Sequence, residues 1–218
     1  MPFKKLFPLP LLLVPLLLLL LVAGCSDGGK NKEEHYNKAM GYLGENKEKE
    51  AIIELRNAIQ IDPKYADARY QLGLLYLKSG DVRQAFAELQ RAATLDPKNL
   101  DAKIKTAEFY LLTKKKEDAQ KHIDEVLAQA PDNKDALALQ ANLELVDGKF
   151  DAAIATVDKA IAGAPNEDRF YAIKGRALSA KQQFPAAENA FLKALELDGK
   201  KLANHATLAA FYVERKEL

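Results

Sequence analysis

Pro63, Pro97, Pro131 and Pro165 stand 34 residues apart, with no insertion or deletion between them. A spacing held over four rungs means that one small unit is repeated in tandem. A unit of this size cannot bury its own apolar face, so it becomes stable only by stacking on copies of itself. Such a chain folds as an elongated array in which each unit touches only its neighbours. Counted from Lys32 as position 1, the units run 32–65, 66–99, 100–133, 134–167 and 168–201, and a sixth starts at Leu202.

Within this register the slots are filled by size. Position 8 is Ala39, Gly73, Ala107, Ala141, Gly175 and Ala209, always small enough for a second helix to approach closely. Position 20 is alanine in every complete unit (Ala51, Ala85, Ala119, Ala153, Ala187), and position 27 is Ala58, Ala92, Val126, Ala160 and Ala194. Large residues fill the rest: Tyr42, Tyr76, Tyr110 and Tyr212 at position 11, and Leu55, Leu89, Ile123, Val157 and Phe191 at position 24. Steps of three, four and seven give each unit two amphipathic helices. Asn46, Gly80 and Gly148 fall where the first helix must turn into the second, and Asp81 with Gln84 can form a capping box there. The prolines end the second helix, since proline cannot continue one; the fifth unit has Leu197-Asp198-Gly199 instead, and glycine also terminates helices.

The second unit, with Leu72-Gly73, Tyr76, Gly80, Ala85, Leu89, Ala92 and Pro97 at positions 7, 8, 11, 15, 20, 24, 27 and 32, closely resembles the tetratricopeptide repeat. The resemblance implies an all-α solenoid of antiparallel helix pairs in a right-handed superhelix, and binding rather than catalysis.

The first 24 residues are of another kind. Lys4 and Lys5 precede a leucine run from Leu6 to Leu21, and Val22-Ala23-Gly24 place small residues before Cys25, the only cysteine. This is the layout of an export signal. The competing reading is a retained membrane anchor, because Leu6 to Gly24 is 19 residues and about 20 cross a bilayer; Pro8, Pro10 and Pro15 weaken it. Val22-Ala23-Gly24-Cys25 resembles a bacterial lipobox, which implies cleavage before Cys25, acylation there, and a short tether over 25–31. By that resemblance Ser26 after the cysteine favours the outer membrane, with the repeats facing the periplasm.

The remaining composition points away from chemistry. There are 32 basic and 31 acidic residues, and removing Lys4 and Lys5 leaves 30 against 31, so no basic surface for nucleic acid is expected. His35, His122 and His205 fall in units too far apart to share a metal, and no HExxH, zinc-type cysteine spacing or GxSxG around Ser26, Ser79 or Ser179 is present. Gly28-Gly29-Lys30 lacks the rest of a phosphate loop. Glu48, Glu50 and Glu54, with Lys47 and Arg56, read as a solvated helix face. The chain is expected to be no enzyme, and to need no cofactor, metal or small-molecule substrate.

In the tetratricopeptide family, positions 2, 5, 9, 12 and 13 of the first helix face the ligand in a concave groove. Here position 5 reads Tyr36, Tyr70, Ile104, Ala138, Ala172 and position 9 reads Met40, Leu74, Glu108, Asn142, Arg176, so the groove starts apolar and turns polar. Tyr36, Met40, Tyr70, Leu74 and Leu77 suit an extended or helical apolar segment of a protein partner; equally, they suit packing against neighbouring helices. The Lys and Asn set with which chaperone-binding members clamp a terminal carboxylate is absent.

The lipobox, followed by Glu50-Ala51-Ile52-Ile53-Glu54-Leu55-Arg56-Asn57-Ala58-Ile59-Gln60 and then Ala68-Arg69-Tyr70-Gln71-Leu72-Gly73, is similar to the PEP-CTERM system TPR-repeat lipoproteins. That resemblance implies an envelope scaffold in exopolysaccharide production and protein sorting. A pilotin-like lipoprotein assisting secretin or type IV pilus assembly, and a regulatory subunit of a polysaccharide-synthesis complex, are the alternatives. The sixth unit stops at Leu218, position 17, with Leu208, Phe211 and Tyr212 on a helix that has no partner helix after it, so the sequence is expected to be the N-terminal portion of a longer repeat protein.

Overall fold

The computed structural model describes residues 31–215, so the segment expected to be an export signal and Cys25 lie outside the described residues. Those residues form eleven helices, five helical hairpins followed by the first helix of a sixth unit. The first helices are α1 (Lys32–Gly44), α3 (Ala66–Lys78), α5 (Leu100–Leu112), α7 (Lys134–Val146), α9 (Asp168–Ala180) and α11 (Leu202–Glu214). The second helices are α2 (Glu48–Ile61), α4 (Val82–Leu95), α6 (Lys116–Gln129), α8 (Phe150–Gly163) and α10 (Phe184–Leu197). Within each complete unit the two helices pack on one another, and each second helix packs on the first helix of the next unit. Successive first helices also touch, α5 with α7, α7 with α9 and α9 with α11, and no two second helices meet to a comparable degree. The first helices therefore line the inner side of the curve.

The two helices of a unit meet where position 8 faces position 24. A Cβ added to Gly73 would stand 2.6 Å from Leu89 Cγ, and one added to Gly175 would stand 2.5 Å from Phe191 Cε1. Ala39, Ala107 and Ala141 fill the slot in the other complete units, and with their partners Leu55, Ile123 and Val157 they are almost wholly buried. Side-chain bulk on one helix is thus matched by its absence on the other, as close packing of the pair requires.

Position 15 has positive φ in all five complete units: Asn46 58°, Gly80 81°, Lys114 60°, Gly148 73° and Gln182 60°. The same pair of backbone bonds closes each turn. In the second unit Asp81 N–H donates to Tyr76 O at 2.9 Å and Gly80 N–H to Leu77 O at 3.1 Å; in the fifth, Gln183 N–H donates to Leu178 O at 2.9 Å and Gln182 N–H to Ser179 O at 2.8 Å. This is the Schellman ending of a helix, and its geometry holds a lysine and a glutamine in a region that costs a non-glycine residue about 1–2 kcal/mol. Asp81 caps α4 through Gln84 N–H at 3.2 Å. The Gln84 amide then reaches the other Asp81 carboxylate oxygen, at 2.5 Å, because the Asp81 N–H is already used by the turn.

Side chains of the following unit cap every inter-unit turn. The carbonyls at position 32 accept from Arg69 (Pro63, 2.7 and 2.9 Å), Gln129 (Pro97, 3.3 Å), Lys159 (Pro131, 2.6 Å), Tyr171 (Pro165, 3.0 Å) and His205 (Gly199, 2.8 Å). In the first three units a base at position 4 also reaches an acid on the second helix: His35 to Glu54, Arg69 to Glu88 and Lys103 to Glu125, each at 2.5 Å. Glu54 is thus half-buried and bonded across its hairpin. It is not part of the solvated face expected from the sequence, because the first helix brings His35 against it.

The seams between units differ in polarity. Phe86 meets Phe109 at 5.4 Å and Tyr110 at 5.3 Å between the second and third units, and Phe184 and Phe191 meet Phe211 between the fifth and sixth. Between the third and fourth, the Gln120 amide donates to Gln140 and to Asp124, and Gln140 donates to Glu144, at 2.7–2.8 Å. Glu144 occupies the slot that holds tyrosine in four units, and its Oε2 is buried without a hydrogen-bond partner. Nearby, His122 stacks on Tyr110 at 5.7 Å with its Nδ1 also buried and unbonded.

Two outcomes are expected. Gly175→Ala should lower stability by about 1–3 kcal/mol through overpacking against Phe191, although alanine is the better helix former by about 1 kcal/mol; adding Phe191→Leu should restore most of the loss in urea melts. Burial, more than any neighbouring charge, pushes the His122 imidazole below its ordinary value. The folded state then prefers neutral histidine, so its contribution is complete above about pH 6.5 and is lost as the pH falls from there through the lowered folded pKa. His122→Phe should keep the stack and flatten that part of the pH profile of the urea midpoint; an unchanged profile would remove His122 as its source.

Candidate functional site

The inner face changes character along its length because position 5 tapers. In the first two units it carries Tyr36 and Tyr70, whose rings lie half-buried against the core with Met40, Leu74 and Leu77. Tyr36 also meets Tyr65 at 5.3 Å, and Tyr70 rests on the cluster of Ala92, Ala93 and Ala102. Burial raises the Tyr36 and Tyr70 phenols above their ordinary values, so both are neutral donors. These five residues offer ring faces and methyl groups on a surface that is already largely filled. Ile104, the next residue in the row, is 4% exposed and packs with Val126 and Ala136, and so belongs to the core.

Beyond it the row becomes Ala138 and Ala172, and space opens. A cleft of about 320 Å3 runs over the first helices of the third to sixth units, floored by Ala138, Ala172 and Ile173. Glu108, Asn142 and Arg176 from position 9 all line it, so three of the residues singled out by sequence come together in one hollow. Asp135, Arg169 and Thr207, from positions 2 and 6, also line it and were not singled out. Positions 2 and 6 lie on the same face of the helix as 5 and 9, so reading those slots in the same register would have found them.

Most charges here are already paired. Arg169 bonds Asp135 at 2.5 Å and Glu167 at 2.9 Å, Lys201 bonds Asp168 at 2.8 Å, and Lys105 bonds Glu108 at 2.9 Å. Burial works against ionisation of Asp168, but Lys201 and the Asn204 amide hold its carboxyl below the usual range. Asn204 is itself buried and also donates to the carbonyls of Ala194 and Asp198, fixing α11 to the end of α10. Arg176 differs: its Nη2 donates to Asn142 Oδ1 at 2.6 Å, and among the described residues it meets no carboxylate. Its side chain is exposed to solvent yet stands within the concavity, where surrounding protein lowers the guanidinium pKa while leaving it a cation.

A second cleft of about 570 Å3 adjoins the first, between α9 and α11. Phe191, Ala206, Ala210 and Phe211 give it an apolar wall, Glu214 also lines it, and Arg176 and Thr207 line both clefts. Among the described residues no cluster of His, Cys, Asp and Glu could hold a metal ion, and no helix is long and apolar enough to cross a membrane.

Comparison with known proteins agrees with this geometry. The family model for the TPR domain of cytochrome c-type biogenesis protein H matches residues 37–171, more than half of the chain, and the tetratricopeptide-repeat model matches residues 168–201. No curated protein sequence matches the chain significantly. Among solved structures, a tetratricopeptide repeat protein from Parabacteroides merdae superposes with a TM-score of 0.73 at 17% identity, over 87% of this chain and 75% of that one. MamA from Desulfovibrio magneticus RS-1 gives 0.67 at 21% identity, over 79% and 98%. YrrB, described as a TPR protein with an unusual peptide-binding site, gives 0.66 at 15% identity, over 85% and 91%. At these identities the likeness concerns the fold.

Proposed function

Because the chain belongs to the tetratricopeptide-repeat family, in the group of the cytochrome c-type biogenesis protein H domain, we propose that it is a non-enzymatic scaffold that holds a polypeptide segment along its inner face. The observation that carries this reading is the alanine floor at Ala138 and Ala172, which leaves a hollow across four consecutive first helices. A hollow of that extent matches a length of chain. The peptide-binding site described for YrrB shows that this architecture can serve such a purpose, and the half-buried Tyr36, Met40, Tyr70, Leu74 and Leu77 extend the same face with apolar contacts.

The scaffold works at a membrane in this proposal. Cys25, after Val22-Ala23-Gly24, carries the acyl chains, several of which together anchor a protein stably where one would be marginal. The repeats then face the periplasm from the outer membrane. The likeness to PEP-CTERM system lipoproteins concerns the pathway, and we carry it as the proposal that the bound segment belongs to exopolysaccharide or protein-sorting assembly.

A photo-crosslinking residue placed at Ala172, on the inner face, should yield a discrete protein adduct in intact cells, and the same residue at Ala155 on α8 should yield none. Equal adducts at both positions, or none at Ala172, would remove the inner face as the binding surface. Mass spectrometry of the detergent-extracted protein should find an N-terminal peptide beginning at Cys25 with a diacylglyceryl thioether and an acylated amine. A peptide retaining Met1, or an unmodified Cys25, would remove the lipid anchor.

A further inference from the structure

Resting on the reading of the inner face as a peptide groove, we infer that Arg176 and Asn142 form a seat for an acidic side chain, and that the bound segment carries Asp or Glu within about one helical turn of a large apolar residue. Arg176 is the cation of this groove that meets no carboxylate among the described residues, whereas Arg169, Lys201 and Lys105 each have one. It is also held in place. Asn142 Nδ2 donates to Ala138 O at 2.9 Å, which turns the Asn142 oxygen toward Arg176 Nη2 at 2.6 Å. One guanidinium N–H is spent on this neutral acceptor, and the others remain for a carboxylate fork.

The neighbourhood specifies more than charge. Arg176 lines both the polar cleft over α7 and α9 and the apolar cleft between α9 and α11, so it stands at their junction. A segment passing from one to the other would place an apolar side chain beside Phe191 and Phe211 and an acid at Arg176. Because the groove continues on both sides, the carboxylate belongs to an internal side chain, not to a chain terminus. Glu108, at the same slot two units away and already bonded to Lys105, offers no cation to an acid, and so the row has a direction.

The full chain, solubilised in detergent, can be panned against a random twelve-residue phage-displayed peptide library, and the best peptide then synthesised with an amidated C-terminus. Recovered peptides should carry Asp or Glu at one fixed place beside a large apolar residue. Replacing that acid by its amide should weaken binding to the native protein roughly tenfold or more, as expected for a hydrogen bond to a charged group. In R176Q the acid and amide peptides should bind alike, while R176K should restore part of the preference. Arg176 is solvent-exposed, so its thermal melt should be little changed. Recovery of peptides without an acid preference, or a preference that survives in R176Q, overturns the seat and leaves the groove standing. Binding only by a peptide with a free C-terminus replaces the internal acid by a terminal carboxylate and overturns the inference. Recovery of no peptide at all overturns both the groove and the seat.

Discussion

Everything in this molecule depends on how closely the two helices of a unit approach at position 8. Gly73 and Gly175 have no room for a Cβ against Leu89 and Phe191, and the alanines in the other complete units are buried against their partners. The contact fixes the distance and angle within each hairpin, and through these the face offered to the next unit. In a stack held only by neighbour contacts an error at one hairpin would be passed along. Helix propensity contributes less, since glycine is a poor helix former at both sites where the approach is tightest.

With that spacing fixed, the outer slots are free to vary, and the variation makes the site. Position 5 shrinks from Tyr36 and Tyr70 through Ile104 to Ala138 and Ala172. Aromatic area at one end fills the curve that alanine leaves open at the other, and the polar residues of position 9 gather where space exists to use them. The seams vary in the same way, aromatic beside Phe109 and Phe211 and polar around Gln120, Gln140 and Glu144. Changes in slots that are not constrained sterically are absorbed locally.

The sequence made the fold largely readable because the period left one register, and small and large residues alternate in it as helix contact requires. The turn at position 15 was readable at Asn46, Gly80 and Gly148, whose side chains suit positive φ. At Lys114 and Gln182 it was not, since there the hydrogen bonds of the turn impose the conformation against residue preference. The bonds from His35 to Glu54 and from Arg69 to Glu88 were hidden for a similar reason, as they join helices at separations that no helical spacing rule covers. In the groove, Glu108, Asn142 and Arg176 were visible as a row. That Arg176 meets no carboxylate among the described residues while Arg169 meets two depends on side-chain directions, which a one-dimensional pattern does not contain.

The caps on the inter-unit turns bear on how such a chain can change over generations. Each position-32 carbonyl is satisfied by the unit that follows it, and the donor is different every time: a guanidinium, an amide, an ammonium, a phenol and an imidazole. The acceptor is the same backbone carbonyl in every unit and each unit brings its own donor, so a duplicated or reordered unit would carry its turn cap with it. The seams differ, because Phe86 meets the rings of Phe109 and Tyr110, and Gln120 meets Gln140, only in the neighbour that supplies them. Exchange of whole units is therefore tolerated at the turns and resisted at the side-chain seams.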